Sequence, residues 1–359
     1  MGKTQRIRDT VHNLIEFDDG EFEQTCWRVL NTRPMQRLRR IKQLGFSEFI
    51  YPGACHSRFA HSVGVFHTAR QLSQVVRKRL GDQRYNNDEA RLAMAAALVH
   101  DVGHGPFSHA FEGALKRLNI SKRHELRTKQ ILSETGIVDA FEEFPDFPRR
   151  IGELIESDYP KDIYASLVSS QFDADRLDYM RRDRLMSGTQ QSGIDYDWLI
   201  ANLHVRRVPI QVDGERVGKA EALVINEKSI VAAEGYIFSL LYLYINVYYH
   251  KTTRGLEKIF SALIELLAKR VLEGSAHSVG LPDKHPLIVF LRDPDALEPF
   301  LQLDDAVIMG SLSMLAEGAD QSIAELASRI RDRRVYTCFD VSKLMAAKFG
   351  LPKEGAADA

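Results

Sequence analysis

The chain has 359 residues, 44% of them hydrophobic and 27% charged, with a formal net charge of −1. That is enough chain for one large domain or two modest ones, in the composition of an ordinary globular protein, and the near-neutral balance disfavours a broadly basic nucleic-acid-binding surface while leaving room for a local basic pocket. The three widely spaced cysteines, Cys26, Cys55 and Cys338, make neither a disulfide framework nor a zinc knuckle, and fit a reducing, cytoplasmic setting best.

The predicted elements are mostly helical. From Glu21 to Leu44 apolar residues recur at three- and four-residue spacing, with a turn near Asn31 to Pro34. Ser62 to Leu80 reads as a long amphipathic helix, and Asp88 to Val99 as a helix that ends on His100 and Asp101. Ser121 is placed to cap the helix holding His124, with Glu125 in its first turn. Ile163 to Val168 and Ala174 to Met186 are two more helical segments, the second carrying Asp175. Leu203 to Ile230 breaks the pattern: alternating apolar residues flank an Asp213-Gly214 step, the signal of a β-hairpin. Beyond Ala232 the chain is predicted helical to about Leu272, then a loop from Gly274 to Pro286, a helical lobe from Pro286 to Tyr336, and a frayed tail from Lys353 to Ala359.

These elements organise as a domain over 1–272, with the hairpin inserted at about 203–230, and a helical C-terminal lobe over 286–352. The N-terminus leads into no apolar h-region and no run of about twenty apolar residues is present, so neither a secretion signal nor a membrane span is expected. The longest apolar stretch, Ile237 to Tyr249, is interrupted by Ser239 and Asn246 and reads as a buried helix.

The chemistry concentrates in His100-Asp101-Val102-Gly103-His104-Gly105-Pro106-Phe107-Ser108-His109, with three histidines and an aspartate in ten residues. On a helix His100 and His104 share a face, and a neutral imidazole beside a carboxylate suits a divalent cation. Alone, the run is equally a polar helix end with satisfied histidines. Two further stretches change that balance: His56-Ser57-Arg58-Phe59-Ala60-His61 upstream, and Asp173-Ala174-Asp175-Arg176-Leu177-Asp178-Tyr179 downstream.

His…His-Asp…Asp in this order resembles the ligand pattern of the HD superfamily of metal-dependent phosphohydrolases. With Gln36-Arg37-Leu38-Arg39-Arg40-Ile41-Lys42-Gln43-Leu44-Gly45 added, the chain from about Arg8 to about Tyr249 is similar to the deoxynucleoside triphosphate triphosphohydrolase branch. That branch includes bacterial dGTPase-like proteins and the vertebrate SAM-and-HD-domain enzyme. The resemblance implies a mainly α fold with an HD-domain helical core, and the ligand set His61, His100, Asp101 and Asp175. Nitrogen and oxygen ligation without thiolate suits Fe, Mn, Ni, Mg or Zn and does not choose among them.

It further implies cleavage of a deoxynucleoside triphosphate to the nucleoside and triphosphate. The departing O5′ needs a proton donor. His109, with Glu112 three residues on to orient it, is the expected general acid, and His104 and His124 are expected to bind phosphate oxygens or help hold a second metal. By resemblance Gln43 and Leu44 contact the sugar, Asp183 accepts the 3′-hydroxyl, Tyr179 packs under the ribose, and Arg58 and Arg176 meet phosphate; Tyr248 and the pair His250-Lys251 are retained.

Two departures stand out. Leu240 occupies the place of an arginine that grips the distal phosphate and the base, and Tyr244 that of a common histidine. An apolar side chain cannot compensate phosphate charge, which keeps another HD phosphoesterase activity, a nucleotide phosphatase or single-strand nuclease, in view. A non-catalytic nucleotide sensor is a third reading, opposed by the complete ligand set. At the activator site of nucleotide-activated relatives, Asn31 replaces an aspartate and Thr337 a lysine, while Arg39 and Arg333 remain. The expected partners are a nucleotide substrate and further copies of the chain.

Overall fold

Ser57 starts the central helix of the molecule. Its hydroxyl accepts the backbone N–H of Ala60 at 3.3 Å, satisfying one of the unpaired first-turn donors, and the helix runs Arg58–Leu80. This cap brings Arg58 and His61 into the first turn, upstream of the predicted start at Ser62. The helix is not amphipathic in the simple sense: Val65, Phe66, Ala69 and Leu72 are buried, and so are His61, Ser62, Thr68 and Ser73. It is covered on two sides, by Asn87–Val99 and by Ala174–Ser187. Asn86 caps the former through the N–H groups of Asp88 and Glu89, and Asp173 caps the latter through that of Arg176 at 2.8 Å.

The computed structural model describes residues 3–120, 122–157, 159–212, 215–337, 339 and 341–349. Ser121, the Asp213-Gly214 turn and the tail from Lys353 to Ala359 lie outside these. The strands that flank that turn are as expected, Leu203–Val212 and Glu215–Ile225 pairing antiparallel with an irregularity between Ile210 and Gln211. A second hairpin, Gln5–Asp9 with Asn13–Phe17, was not anticipated.

Three predicted helices are revised. Glu21–Leu30 ends where the Asn31 side-chain amide donates to the Trp27 carbonyl; only the short helix Arg33–Arg37 and two 3₁₀ turns follow before Ile50. Ile163 to Val168 holds a single 3₁₀ turn, Ala165–Leu167. The long helix after Ala232 is two, Ile230–Leu243 and Lys251–Leu272, separated by a π-helical turn over Tyr244–Tyr248. Such turns recur at functional sites because they re-aim side chains.

The helix expected to be buried is the largest correction. Ile237 is 64% exposed and Phe238 56%, with Val231, Leu241 and Ile245 also on the surface. The stretch 227–248 is long and apolar enough to cross a membrane by length and composition, contrary to the expectation of no such segment. Its other face is held in the protein: Tyr236, Ser239, Leu243 and Val247 are buried, the Tyr236 hydroxyl donates to the Gln171 carbonyl at 3.0 Å, and the Ser239 hydroxyl to that of Gly193 at 2.9 Å.

The C-terminal helices Pro286–Arg292, Leu297–Leu301, Asp305–Ala316 and Gln321–Arg331 close over the same hydrophobic core, which includes Phe290, Phe300, Ile308 and Ile330. Fully buried Arg37 ties them to the His-Asp run, donating to the carbonyls of Leu303 and His104, both at 2.7 Å. Asp305 adds a second tie, accepting the backbone N–H groups of Lys42 and Phe107 at 2.8 and 2.7 Å.

Candidate metal centre and its cavity

The Asn87–Val99 helix delivers His100 at its C-terminal end. His100 Nδ1 lies 2.9 Å from the carbonyl of Ala97, one turn back, so Nδ1 carries the proton and Nε2 presents its lone pair. His61 is set in the same way from the other side: its Nδ1 faces Asp178 Oδ2 at 2.9 Å, leaving Nε2 free to ligate. Ligating atoms of His61, His100 and Asp101 all lie within 4.8 Å of one another. Asp175, the fourth expected ligand, lies beside them, its Oδ1 being 2.9 Å from His61 Nε2 and 3.8 Å from His100 Nε2.

The fit to a cation can be tested on the nitrogens. Among the described residues, the buried Nε2 of His100 has no hydrogen-bond partner, and that of His61 has only the Asp175 carboxylate beside it. An unsatisfied buried polar atom is costly, and two imidazole nitrogens gathered with carboxylates at this spacing are a donor set that a divalent ion would satisfy. Nitrogen and oxygen donors at this spacing match a borderline or hard divalent ion. Burial disfavours the His61 imidazolium, yet Asp175 and Asp178 beside it push its pKa up to about 10. An ion therefore competes with a proton at Nε2.

Asp101 is held well below the ordinary carboxylate range. Burial works the other way, but the Arg58 guanidinium, with Nη1 2.5 Å from Oδ2, outweighs it, helped by His100 and His104. Asp178 is held low against burial by Arg182 and by hydrogen bonds to His12 and His61. Arg58 is thus occupied: buried, with Nε donating to Ser108 Oγ at 2.8 Å, it braces Asp101 as well as lining the cavity.

A second histidine group stands beside the first. Ligating atoms of His104, His109 and His124 also lie within 4.8 Å of one another. His104 is buried and stacks on His124 at 4.1 Å between centroids; burial and the nearby Arg58 hold it well below its ordinary pKa, hence neutral. The expected His109–Glu112 pair is a loose contact with no hydrogen bond. His109 Nδ1 is 3.9 Å from Glu112 Oε2, beyond hydrogen-bond range, and its side chain is 77% exposed. Glu112 bonds His124 Nδ1 instead, at 3.2 Å. Both residues lie in the first turns of their helices, His109–Arg117 and His124–Glu134, which this pair joins.

Both groups open on a cavity of about 500 Å³. His100, Asp101, Asp175, His104, His109 and His124 line it, together with Gln43, Leu44, Arg58, Tyr179, Asp183 and Tyr248. Asp183 is buried and fixed by two donors, His56 Nε2 at 2.8 Å and the Tyr248 hydroxyl at 2.7 Å. Gln43 Oε1 is buried without a partner among the described residues, an acceptor aimed at no protein group.

Three predicted site residues are not brought to the cavity wall: His61, which is fully buried behind it, Glu112, and Arg176. Arg176 Nη1 donates to the Ser170 carbonyl at 2.6 Å and to Asp173 Oδ2 at 2.7 Å, anchoring the start of its own helix. Leu240 packs half-buried against the core and is also absent from the lining. Sequence reasoning missed Glu125, Thr253, Arg254 and Glu257, which do line it. Arg254 and Glu257 form an i, i+3 ion pair just past His250-Lys251, a spacing visible in the sequence. Tyr244, Tyr248 and Tyr249 reach the cavity from the π-helical turn and the residue after it.

A helical core presenting two imidazoles and two carboxylates beside a cavity of about 500 Å³ defines a metal-dependent hydrolase. Comparisons with known proteins agree. The HD domain family matches residues 58–180. "Uncharacterized protein YwfO" of Bacillus subtilis is 32% identical over 358 residues, covering 98% of this chain and 76% of that protein. The "Deoxynucleoside triphosphate triphosphohydrolase SAMHD1 homolog" of Dictyostelium discoideum is 34% identical over 191 residues, 51% of this chain but only 36% of that protein. A crystal structure described as a phosphohydrolase from Bacteroides thetaiotaomicron superposes with a TM-score of 0.75 at 27% identity, covering 99% of this chain and 86% of that one. The chain belongs to the HD superfamily of phosphohydrolases, and within it resembles the deoxynucleoside triphosphate triphosphohydrolase branch.

Proposed function

We propose that the chain hydrolyses deoxynucleoside triphosphates to the deoxynucleoside and inorganic triphosphate. One observation carries this reading: His100, Asp101, Asp175, His104, His109 and His124 line a single cavity with the residues expected to hold a deoxyribose, Gln43, Leu44, Tyr179, Asp183 and Tyr248. Its volume of about 500 Å³ is that of a nucleotide-sized ligand site.

His61, His100, Asp101 and Asp175 would hold the divalent ion, which supplies polarisation and charge neutralisation at phosphate oxygens. The chain's own groups do the rest. Neutral His104 and the His124–Glu112 pair meet phosphate oxygens. His109, exposed at the cavity, gives its proton to the departing O5′. Asp183, immobilised by His56 and Tyr248, has remaining acceptor capacity for a 3′-hydroxyl. Tyr179 and Leu44 crowd the 2′ side.

A second reading, a nucleotide phosphatase or another HD phosphoesterase, is favoured by two specific placements: neither Leu240 nor Arg176 lines the cavity to meet a triphosphate chain. Paired assays on ATP and dATP, with several divalent metals and with and without GTP, separate the two. The proposal expects dATP to be strongly preferred and GTP not to be required. Equal catalytic efficiency on both nucleotides favours the second reading.

The chain is further proposed to assemble with copies of itself through the exposed apolar face around Ile237, Phe238 and Ile245. No charged residue lies between Glu234 and His250, and an apolar partner surface of the same kind suits such a face.

A further inference from the structure

Beneath the metal set lies a second polar cluster that no step above uses. The Asp178 carboxylate receives four donors. His61 Nδ1 meets Oδ2 at 2.9 Å and His12 Nε2 meets Oδ1 at 2.7 Å. Arg182, one turn further along the same helix, gives Nε to Oδ2 at 2.8 Å and Nη2 to Oδ1 at 3.0 Å. His12 does not come from the helical core. It sits in the turn of the N-terminal hairpin, where Asp9 Oδ1 accepts the N–H groups of Val11 and His12 at 2.8 and 2.9 Å. Arg182 Nη1 reaches Asp9 Oδ2 at 2.8 Å, so the turn and the helix are joined through the Asp9 carboxylate.

The cluster is closed to solvent: the side chains of His12, Asp178 and Arg182 are 2%, 0% and 1% exposed. It also presses on the central helix. A Cβ on Gly64 would stand 2.0 Å from Asp178 Oδ1 and 2.4 Å from Arg182 Nη2, so only glycine lets the carboxylate come this close to the helix that carries His61.

We propose that His12 is a positioning residue of the metal centre, acting through Asp178 on His61. An ionised carboxylate only accepts, so Asp178 fixes the proton on His61 Nδ1 and the orientation of the ring. Arg182 alone draws Asp178 along its own helix; the His12 bond balances that pull and keeps Oδ2 under His61. The N-terminal hairpin thereby belongs to the metal centre. This rests on His61 being a ligand, and not on the choice of substrate.

Mn²⁺ affinity of the full chain, followed by the EPR signal of free Mn²⁺, tests it alongside thermal unfolding without metal. His12→Phe keeps a ring against His67, 4.8 Å away between centroids, and removes the hydrogen bond; His12→Gln keeps a donor and removes the ring. The expected result is affinity about 10–100-fold weaker in His12→Phe and near wild type in His12→Gln. Wild-type affinity in His12→Phe with loss in His12→Gln would mean that the ring only fills space, and overturns the proposal. His61→Ala is the separate control: if it binds Mn²⁺ as tightly as wild type, the ligand assignment itself fails, whatever the His12 variants do.

Discussion

The Glu112 carboxylate lies 3.2 Å from His124 Nδ1, which makes it the partner of a histidine from the neighbouring helix and not of His109 three residues before it. Burial works against the His124 imidazolium, but the hydrogen bond to Glu112 outweighs it and raises the pKa above the ordinary histidine value. The cationic form therefore persists to higher pH. A step that needs cationic His124 is lost as pH rises through that raised pKa, so Glu112→Gln should move the alkaline limb of the kcat/KM profile to lower pH. An unmoved limb would separate Glu112 from the titration.

The same pairing predicts non-additivity. Glu112→Gln and His124→Ala act on one unit, so the double variant should be little worse than His124→Ala alone. His109→Ala should instead reduce turnover by about 10²–10⁴-fold, the range for losing a general acid, with metal content unchanged. Loss of metal in His109→Ala would move that residue from acid to ligand.

Arg58 and Asp101 are both buried and bonded at 2.5 Å. Removing one partner of such a pair strands the other charge, at a cost of about 3–5 kcal/mol. Arg58→Met should therefore be strongly destabilised in chelator, by denaturant titration, and less so with saturating Mn²⁺, because the ion takes over compensation of Asp101. An equal deficit in both conditions would contradict the shared role of arginine and metal.

Gly103, in the middle of the His-Asp run, has backbone around it on the side of the His124 helix: a Cβ would stand 2.2 Å from the His124 carbonyl oxygen and 2.5 Å from the Thr128 nitrogen. Gly103→Ala should cost at least about 1–3 kcal/mol by overpacking and disturb both histidine groups. Gly235, in the Ile230–Leu243 helix, has no atom within 4 Å of its added Cβ, so Gly235→Ala should be neutral or stabilising by about 0.5–1 kcal/mol. Comparable melting temperatures for the two variants would show the close approach at Gly103 to be unimportant.

For the exposed apolar face, Ile237→Glu combined with Ile245→Glu should lower the mass in solution, read by light scattering, while leaving Mn²⁺ affinity unchanged. A wild type that is already monomeric at the same concentration would remove the assembly proposal.

The residues of the candidate metal site were legible because each lies in a short word of fixed order, and helix geometry carries such words into space. His100 and Asp101 follow directly from the end of an apolar helix, and Asp175 from the start of another. Side-chain pairing was less legible. An i, i+3 spacing placed His109 and Glu112 together, but the chain between Arg117 and His124 returns a competing histidine, and the shorter bond forms there. Arg176 was read toward phosphate; the Ser170 carbonyl and its own capping residue Asp173 take the guanidinium first. The N-terminal hairpin has no Asn-Gly or Asp-Gly turn, and its reversal ends on Asn13 at φ 62°, so nothing in its local pattern announced it. The Ile237 to Tyr249 helix is apolar nearly all round, which reads as buried; its outer face has no covering element among the described residues, and periodicity carries no information about a partner.

The product balance tests the central claim most directly. Metal-loaded protein is incubated with each of the four common deoxynucleoside triphosphates, with Asp101→Ala as the blank, and the products are resolved by anion exchange. The account predicts deoxynucleoside and inorganic triphosphate in equal amounts, absent in the blank. Release of orthophosphate with deoxynucleoside diphosphate, or no nucleotide turnover by protein that retains its metal, would contradict it.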